Sequence, residues 1–437
     1  MATMAEFLDI FLRCLVIVSL VLAALTAYFS RKNPGLFRIL LLYLLICLTF
    51  IQVKWLLHLD LGSYDAALYH SLSLSVREKL HKDLLGNLGG IFINYSAYTV
   101  PLGIIYYLFG GSQLIGQMFS ALIGLGVLVN VYRLAEAWFD RRTAQLTSLC
   151  LALYPFGWVL AGTLNRDLPI LFFLTALFRL LTRLSSTASL APRLANWCGI
   201  VFCATYLALL RPPLLLLLGL SLMVFLLVSA RKFAKPDLTR PLRIVALSAI
   251  ILLVGGGLFH LGTRYRIPSY LFGKSIQFLS LEEINKRLDN SSDADSAYAH
   301  DLRFGSLRDI LTNLPRALLY FMFSPFPWQV RSVKHALGLM DSVLVVCLTF
   351  FFIKGCPSFC RRRRRVALFL LAFVLAGVVA SSIIQANVGG AMRHRTMFTF
   401  LMFPVAVHGF LAASLRRKQG LSPYFSCQWQ QTQRKAL

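Results

Sequence analysis

Along this chain, apolar residues gather into blocks of about 18–22 residues, separated by short polar connections rich in arginine and lysine. A helix of that length crosses a hydrocarbon core of about 30 Å. The apolar positions do not alternate as barrel strands would, and a helix satisfies its backbone groups internally. In order, the blocks are 7–29, 37–57, 112–132, 143–161, 167–184, 195–211, 212–229, 244–262, 336–354, 366–384 and 397–415. The pattern predicts an all-α polytopic membrane protein with about 11 transmembrane helices, residues 1–437 forming one integral membrane domain. The first block opens on Glu6 and Asp9 with no cleavage-site pattern, so it reads as a span. Pro212 and Pro213 divide one long apolar stretch into two helices.

Composition agrees. Charged residues make up 14% of the chain and hydrophobic ones 57%, against about 25% charged in a soluble domain. The net charge of +26 could point to nucleic acid, but the basic residues sit at the ends of apolar blocks. The positive-inside rule puts them there. One alternate set of connections carries Arg31, Lys32 and Arg38; Arg133, Arg141 and Arg142; Arg179, Arg183 and Arg193; Arg231 to Arg243; Arg361–Arg365; and Arg416 to Lys435. That set is assigned to the cytoplasm, with the N-terminus outside and the C-terminus inside. All nine cysteines then fall in spans or cytoplasmic segments, where a reducing compartment tolerates free thiols.

Two outside segments are long, 58–111 and 263–335. Segment 91–109 is apolar and rich in tyrosine, and reads as an interfacial helix. A twelfth span there would move Arg133, Arg141 and Arg142 outside. Segment 306–322 is a second interfacial candidate, and 289–301 is a solvated tip.

Chemistry concentrates on the outer side. Asp65 lies just past the end of the second block; it reads either as a helix N-cap or as a solvated reactive carboxylate. Asp60 is its nearby alternative. Arg166–Asp167 sits between two closely spaced blocks, either as a capped helix start or as part of a polar cavity facing a phosphate. Gly389 and Gly390 precede Arg393, His394 and Arg395 at the outer start of the last block, where three cations run against the charge rule. Arginine grips phosphate through paired donors; snorkelling to headgroups is the bland alternative, and the odd placement favours ligand contact. Arg211 precedes the proline pair. Trp328, in SPFPWQ (324–329), fits an interface belt and could stack on a sugar. The eight histidines are all placed at or near the outer side, with spacings that define no metal site.

Several stretches resemble one family. YDAALYHSL (64–72) resembles the first outside loop of polyprenol-dependent glycosyltransferases of the GT-C fold, bacterial family-39-like members among them. Residues 98–142 resemble the next section, with a proline-led interfacial helix, an LFG-S turn, a span and a YRLA…FDRR end. Residues 152–177 resemble a YP…RD span pair, while SPFPWQ and GGAMRHR resemble features of exopolysaccharide and cell-wall members. The likeness covers most of 50–185. It implies that a sugar on a polyprenyl-phosphate donor passes to a glycan or lipid acceptor outside a bacterial inner membrane. Asp65 would be the catalytic base. Arg393, Arg395, Arg211 and Arg166 would hold the donor phosphate, supported by Tyr69, His70, Asp167, His394 and Trp328. A divalent cation is the one cofactor the resemblance leaves open; no metal site is assigned, and no nucleic-acid partner. This chain lacks an adjacent acidic pair at Asp65 and a sizeable C-terminal soluble domain. Two other classes compete: an O-antigen-polymerase-like or ligase-like enzyme, and a non-enzymatic transporter of lipid-linked glycans.

Overall fold

A computed structural model of the protein describes residues 31–57, 64–82, 96–184, 189–230, 281–292, 303–330 and 333–418, with isolated positions between 13 and 29. The blocks 7–29, for the most part, and 244–262 lie outside the described residues, as do Asp60 and residues 293–301 of the tip 289–301, whose first residues, 289–292, close a helix. Every other apolar block falls on a described helix. In chain order these helices are α1 (Pro34–Leu56), α2 (Tyr64–Lys82), α3 (Ser96–Phe109), α4 (Gln113–Trp138), α5 (Arg141–Ala152), α6 (Pro155–Ala161) and α7 (Asp167–Leu184). Then follow α8 (Leu190–Leu210), α9 (Pro213–Ala230), α10 (Leu281–Ser292), α11 (Leu307–Phe323), α12 (Val333–Arg362), α13 (Arg364–Ile384) and α14 (Val388–Lys418).

Among the described residues, six helices are long and apolar enough to cross a membrane, or seven if α5 and α6 count as one span bent by 62°. The bend falls at Pro155, which opens α6 where the preceding helix stops. Helix α7 misses this count because Asp167, Arg179 and Arg183 interrupt its apolar run. Helix α3 has 14 residues and reaches about 21 Å, short of a hydrocarbon core. It ends at Gly110, whose φ of 101° and N–H to Tyr106 (2.9 Å) make a left-handed stop that a side chain would strain.

Direction follows from the contacts. Asn130 Nδ2 to Thr175 Oγ1 (3.4 Å) and Trp138 Nε1 to Thr182 Oγ1 (3.0 Å) set α4 and α7 parallel. Asp341 with Arg395, and Ser358 with His408, do the same for α12 and α14. Helix α1 runs the other way: Asn33 at its start meets Tyr132 (2.7 Å), and Lys54 near its end meets the Gly162 carbonyl (2.9 Å). The bundle therefore has two ends. One gathers Asp65, Asp167, Arg211 and Arg393. The other gathers the basic connections before α1, after α4, α7 and α12, as the charge pattern requires.

One sequence placement fails here. His408 stacks on Phe139 (4.0 Å between rings) and meets Ser358 (3.0 Å), both at the basic end. The histidines are therefore not all on the outer side; the helix carries His408 about five and a half turns below Val388.

Candidate active site

The last span starts earlier than its apolar block. Asn387 caps α14, its side chain accepting from Gly390 N (2.7 Å) and its carbonyl from Ala391 N (3.0 Å). Arg393, His394 and Arg395 are therefore in the second turn of a helix rather than at its mouth. Successive helical residues point roughly 100° apart, so these three face three different neighbours.

Arg393 faces two carboxylates. Its Nη1 donates to Asp65 Oδ2 (2.9 Å) and its Nε to Asp167 Oδ2 (2.8 Å). The two acids differ in setting. The Asp167 side chain is 1% exposed and the Asp65 side chain 41%. Asp65 is the second residue of α2, so it is not the N-cap of that helix. It lies in the first turn, where the helix dipole favours an anion. Asp167 opens α7 in the same way.

More cations surround this pair. Arg211, at the α8–α9 break, holds Nη2 3.8 Å from Asp167 Oδ1. That is an ion pair without hydrogen-bond geometry, and Asp167 Oδ1 is buried with no hydrogen-bond donor. The same Nη2 lies 3.2 Å from His394 Nε2. Arginine can only donate, so that ring nitrogen accepts and the imidazole is neutral. Arg166 reaches the Leu210 carbonyl (3.0 Å), tying the start of α7 to the end of α8. Arg287 of α10 pairs with Glu283 (2.7 Å) and lies close enough to His394 to act on its charge. The arrangement holds more guanidinium groups than carboxylates.

Behind Asp65, Tyr69 is buried edge-on to Tyr98 (5.1 Å), and burial pushes its phenol up to about 12. His70 Nδ1 meets the Tyr106 hydroxyl at 2.8 Å, and burial pulls its pKa down. These contacts fix α2 against α3. A neighbouring cavity of about 240 Å³ is lined by Tyr98, Pro101, Phe119, Pro169, Phe173 and Tyr206, among others, and is almost wholly apolar.

Arg395 corrects the sequence reading. It was placed with the phosphate ligands, yet it is fully buried on the opposite side of α14. Nε and Nη2 donate to Asp341, Nη1 to the carbonyls of Met322 (2.8 Å) and Ser324 (2.7 Å), and Nη2 also to Ser342 (3.3 Å). A guanidinium has five N–H donors, and all are taken. The physical reason is rotation: two residues along a helix turn a side chain by roughly 200°. Asp341 also accepts from the buried Tyr154 hydroxyl. Neither Asp341 nor Arg287 was singled out from the sequence. Asp341 carried a signal, a lone carboxylate inside an apolar block. Arg287 carried none. Trp328 is 73% exposed and stacks flat on Phe326 (4.8 Å, 5°). Nothing described joins it to Asp65 or Arg393.

A divalent cation fits this donor set poorly. Such ions take several oxygen ligands, whereas Arg393 already stands between the two carboxylates. Among the described residues, no group of three or more His, Cys, Asp or Glu side chains could hold a metal ion.

Residues 99–254, little more than a third of the chain, match a family model described as dolichyl-phosphate-mannose-protein mannosyltransferase. No curated protein matches by sequence. Among solved structures the chain is similar to ArnT from Cupriavidus metallidurans, crystallised bound to undecaprenyl phosphate (TM-score 0.51) and in the apo state (0.50). Identity is 19% in both, and the match covers 83% of this chain and 59% of ArnT. The chain thus spans about three fifths of the length of the structures it matches. The likeness defines the class: a multi-pass membrane protein with the GT-C fold.

Proposed function

We propose that this protein is a membrane glycosyltransferase that moves a sugar from a polyprenyl-phosphate-linked donor to a cell-envelope or polysaccharide acceptor on the periplasmic side of a bacterial inner membrane. One observation carries the reading. A partly exposed carboxylate, Asp65, is held by Arg393 at the end of the bundle where Arg211 and Arg166 also converge.

Asp65 takes the proton of the acceptor hydroxyl. The oxygen attacks the anomeric carbon, and the bond from that carbon to the carrier phosphate breaks with its electron pair on the phosphate. Arg393 and Arg211 face the charge that grows there, and preorganised cations of this kind supply much of a catalyst's effect. Asp167, buried and paired, holds both arginines in place. The apolar cavity beside Pro169 offers room for the first part of a prenyl chain. The undecaprenyl phosphate bound to ArnT supports a carrier of this chemistry.

The test is transfer of radiolabelled sugar from a polyprenyl-phosphate donor by the purified protein in lipid. Asp65→Asn should lower the rate by roughly 10²–10⁴, the range a general base contributes, with binding of polyprenyl phosphate retained. Transfer at the unmodified rate would remove Asp65 from the chemistry.

A further inference from the structure

Arg211 and Arg393 both reach Asp167, yet their charges are not equally met. Arg393 donates to two carboxylates, Asp65 at 2.9 Å and Asp167 at 2.8 Å. Among the described residues, no carboxylate is within hydrogen-bond distance of Arg211; the nearest, Asp167 Oδ1, is 3.8 Å away. Its Nη2 lies 3.2 Å from His394 Nε2, and its Nη1 lies 3.4 Å from Met397 Sδ. Imidazole and thioether are both neutral here, and the thioether accepts only weakly. They orient the guanidinium without cancelling its charge. Arg166 and Arg393 meanwhile stand close enough to repel it.

The local structure explains this fit. His394 and Met397 are three residues apart on α14, so their side chains share a face and meet one fork. Arg211 closes α8, its N–H donating to the Leu207 carbonyl (2.8 Å) and its own carbonyl accepting from Leu214 N in α9 (3.0 Å). The side chain therefore leaves from a fixed point. With Nε2 accepting, the ring proton of His394 is on Nδ1, where the Gln385 amide at the end of α13 lies 3.4 Å away. Arg395, the next residue, meets the carboxylate of Asp341 instead. A carboxylate at position 394 would do to Arg211 what Asp341 does to Arg395. We propose that His394 is a positioning residue for the carrier phosphate: it fixes the Arg211 fork as a neutral acceptor and leaves that positive charge to the phosphate. The role rests on the polyprenyl-phosphate chemistry assigned to the cluster.

The experiment measures the affinity of the purified full chain in lipid for polyprenyl phosphate, with no sugar present, and records the unfolding temperature and sugar transfer separately. His394→Leu removes the acceptor and should weaken binding roughly tenfold, the weight of one hydrogen bond to a charged group. His394→Gln keeps a neutral acceptor and should stay within about threefold of the unmodified protein. His394→Glu supplies a charged acceptor among several guanidinium groups. It should keep the unfolding temperature yet weaken binding more than His394→Leu does, because its carboxylate competes with the phosphate for Arg211. A merely structural histidine predicts the reverse order, since glutamate preserves the contact. Should His394→Leu fail to fold, the contrast between His394→Gln and His394→Glu carries the test. Unchanged affinity in the glutamate variant, or a glutamine variant as weak as the leucine one, would overturn the proposal. Should the variants follow the expected order while the unmodified protein transfers no sugar, the glycosyltransferase reading fails and the role of His394 stands. Should transfer proceed with equal affinity in every variant, the reverse holds. No binding by the unmodified protein would remove both.

Discussion

Arg393 and Arg395 are two residues apart, and each holds an aspartate from a distant helix, yet they build different kinds of place. Around Arg393, the cluster of Asp65, Asp167, Arg211 and His394 is open on one side, where the Asp65 side chain is 41% exposed. Around Arg395, the cluster of Asp341, Tyr154, Met322 and Ser324 is closed, with the guanidinium 0% exposed and every donor satisfied. A closed, saturated ion pair holds helices together and leaves nothing to offer a ligand. An open, unsaturated one can exchange a partner. Residue type therefore does not separate chemistry from framework in this stretch; rotation about one helix axis does.

The largest effect expected from breaking the open cluster is on rate. Arg393→Gln should lower sugar transfer by roughly 10²–10³, the loss seen when one donor to a developing anion is removed. Measured transfer with the unfolding temperature recorded alongside separates loss of chemistry from loss of fold. A rate near that of the unmodified protein would reduce Arg393 to a counter-ion for Asp167.

Breaking the closed cluster should act on stability instead. Asp341→Leu strands the buried Arg395 charge and should cost about 3–5 kcal/mol, as removal of one partner of a buried ion pair does. Replacing both, Asp341→Leu with Arg395→Met, should restore most of that loss, because an apolar pair of similar volume needs no desolvation of charge. Denaturant titration in detergent measures both. If the double variant is stable but inactive, Arg395 returns to the chemistry where the sequence reading put it.

What the sequence disclosed depended on how local each signal was. The Pro212–Pro213 break and the two-sided charge pattern follow from neighbouring residues, and the described helices reproduce them, while six or seven described spans, not eleven, are long and apolar enough to cross a membrane. Asp65, Asp167, Arg211 and Arg393 were each legible as charges out of keeping with their position at block ends. Their union was not, since Asp65 and Arg393 are 328 residues apart. The start of α14 was misplaced because GGAMRHRT (389–396) looks too polar for a membrane helix. Its cap, Asn387, is visible only in the structure, and its charges find partners within the bundle. Arg287 sits on the short amphipathic α10, where no local pattern marks it as a neighbour of His394.

The smallest effect concerns the support beneath the open cluster. His70 Nδ1 and the Tyr106 hydroxyl share a hydrogen bond of 2.8 Å in which either partner can donate. Burial pulls the His70 pKa below its ordinary value of about 6.5. Between the folded and unfolded values, the unfolded chain binds more protons, so stability rises with pH there. The contribution is complete above about pH 6.5 and is lost as pH falls through the lower folded value. The unfolding temperature should therefore decline on acidification from pH 7 to 5, and His70→Gln should flatten that decline without removing it, because other groups also titrate. The His70–Tyr106 contact joins α2, which carries Asp65, to α3. The same acidification should therefore weaken transfer more in the unmodified protein than in His70→Gln. An identical pH dependence of stability in both would show that the α2–α3 contact survives protonation of His70, and that the open cluster rests on Tyr69 and Tyr98 instead.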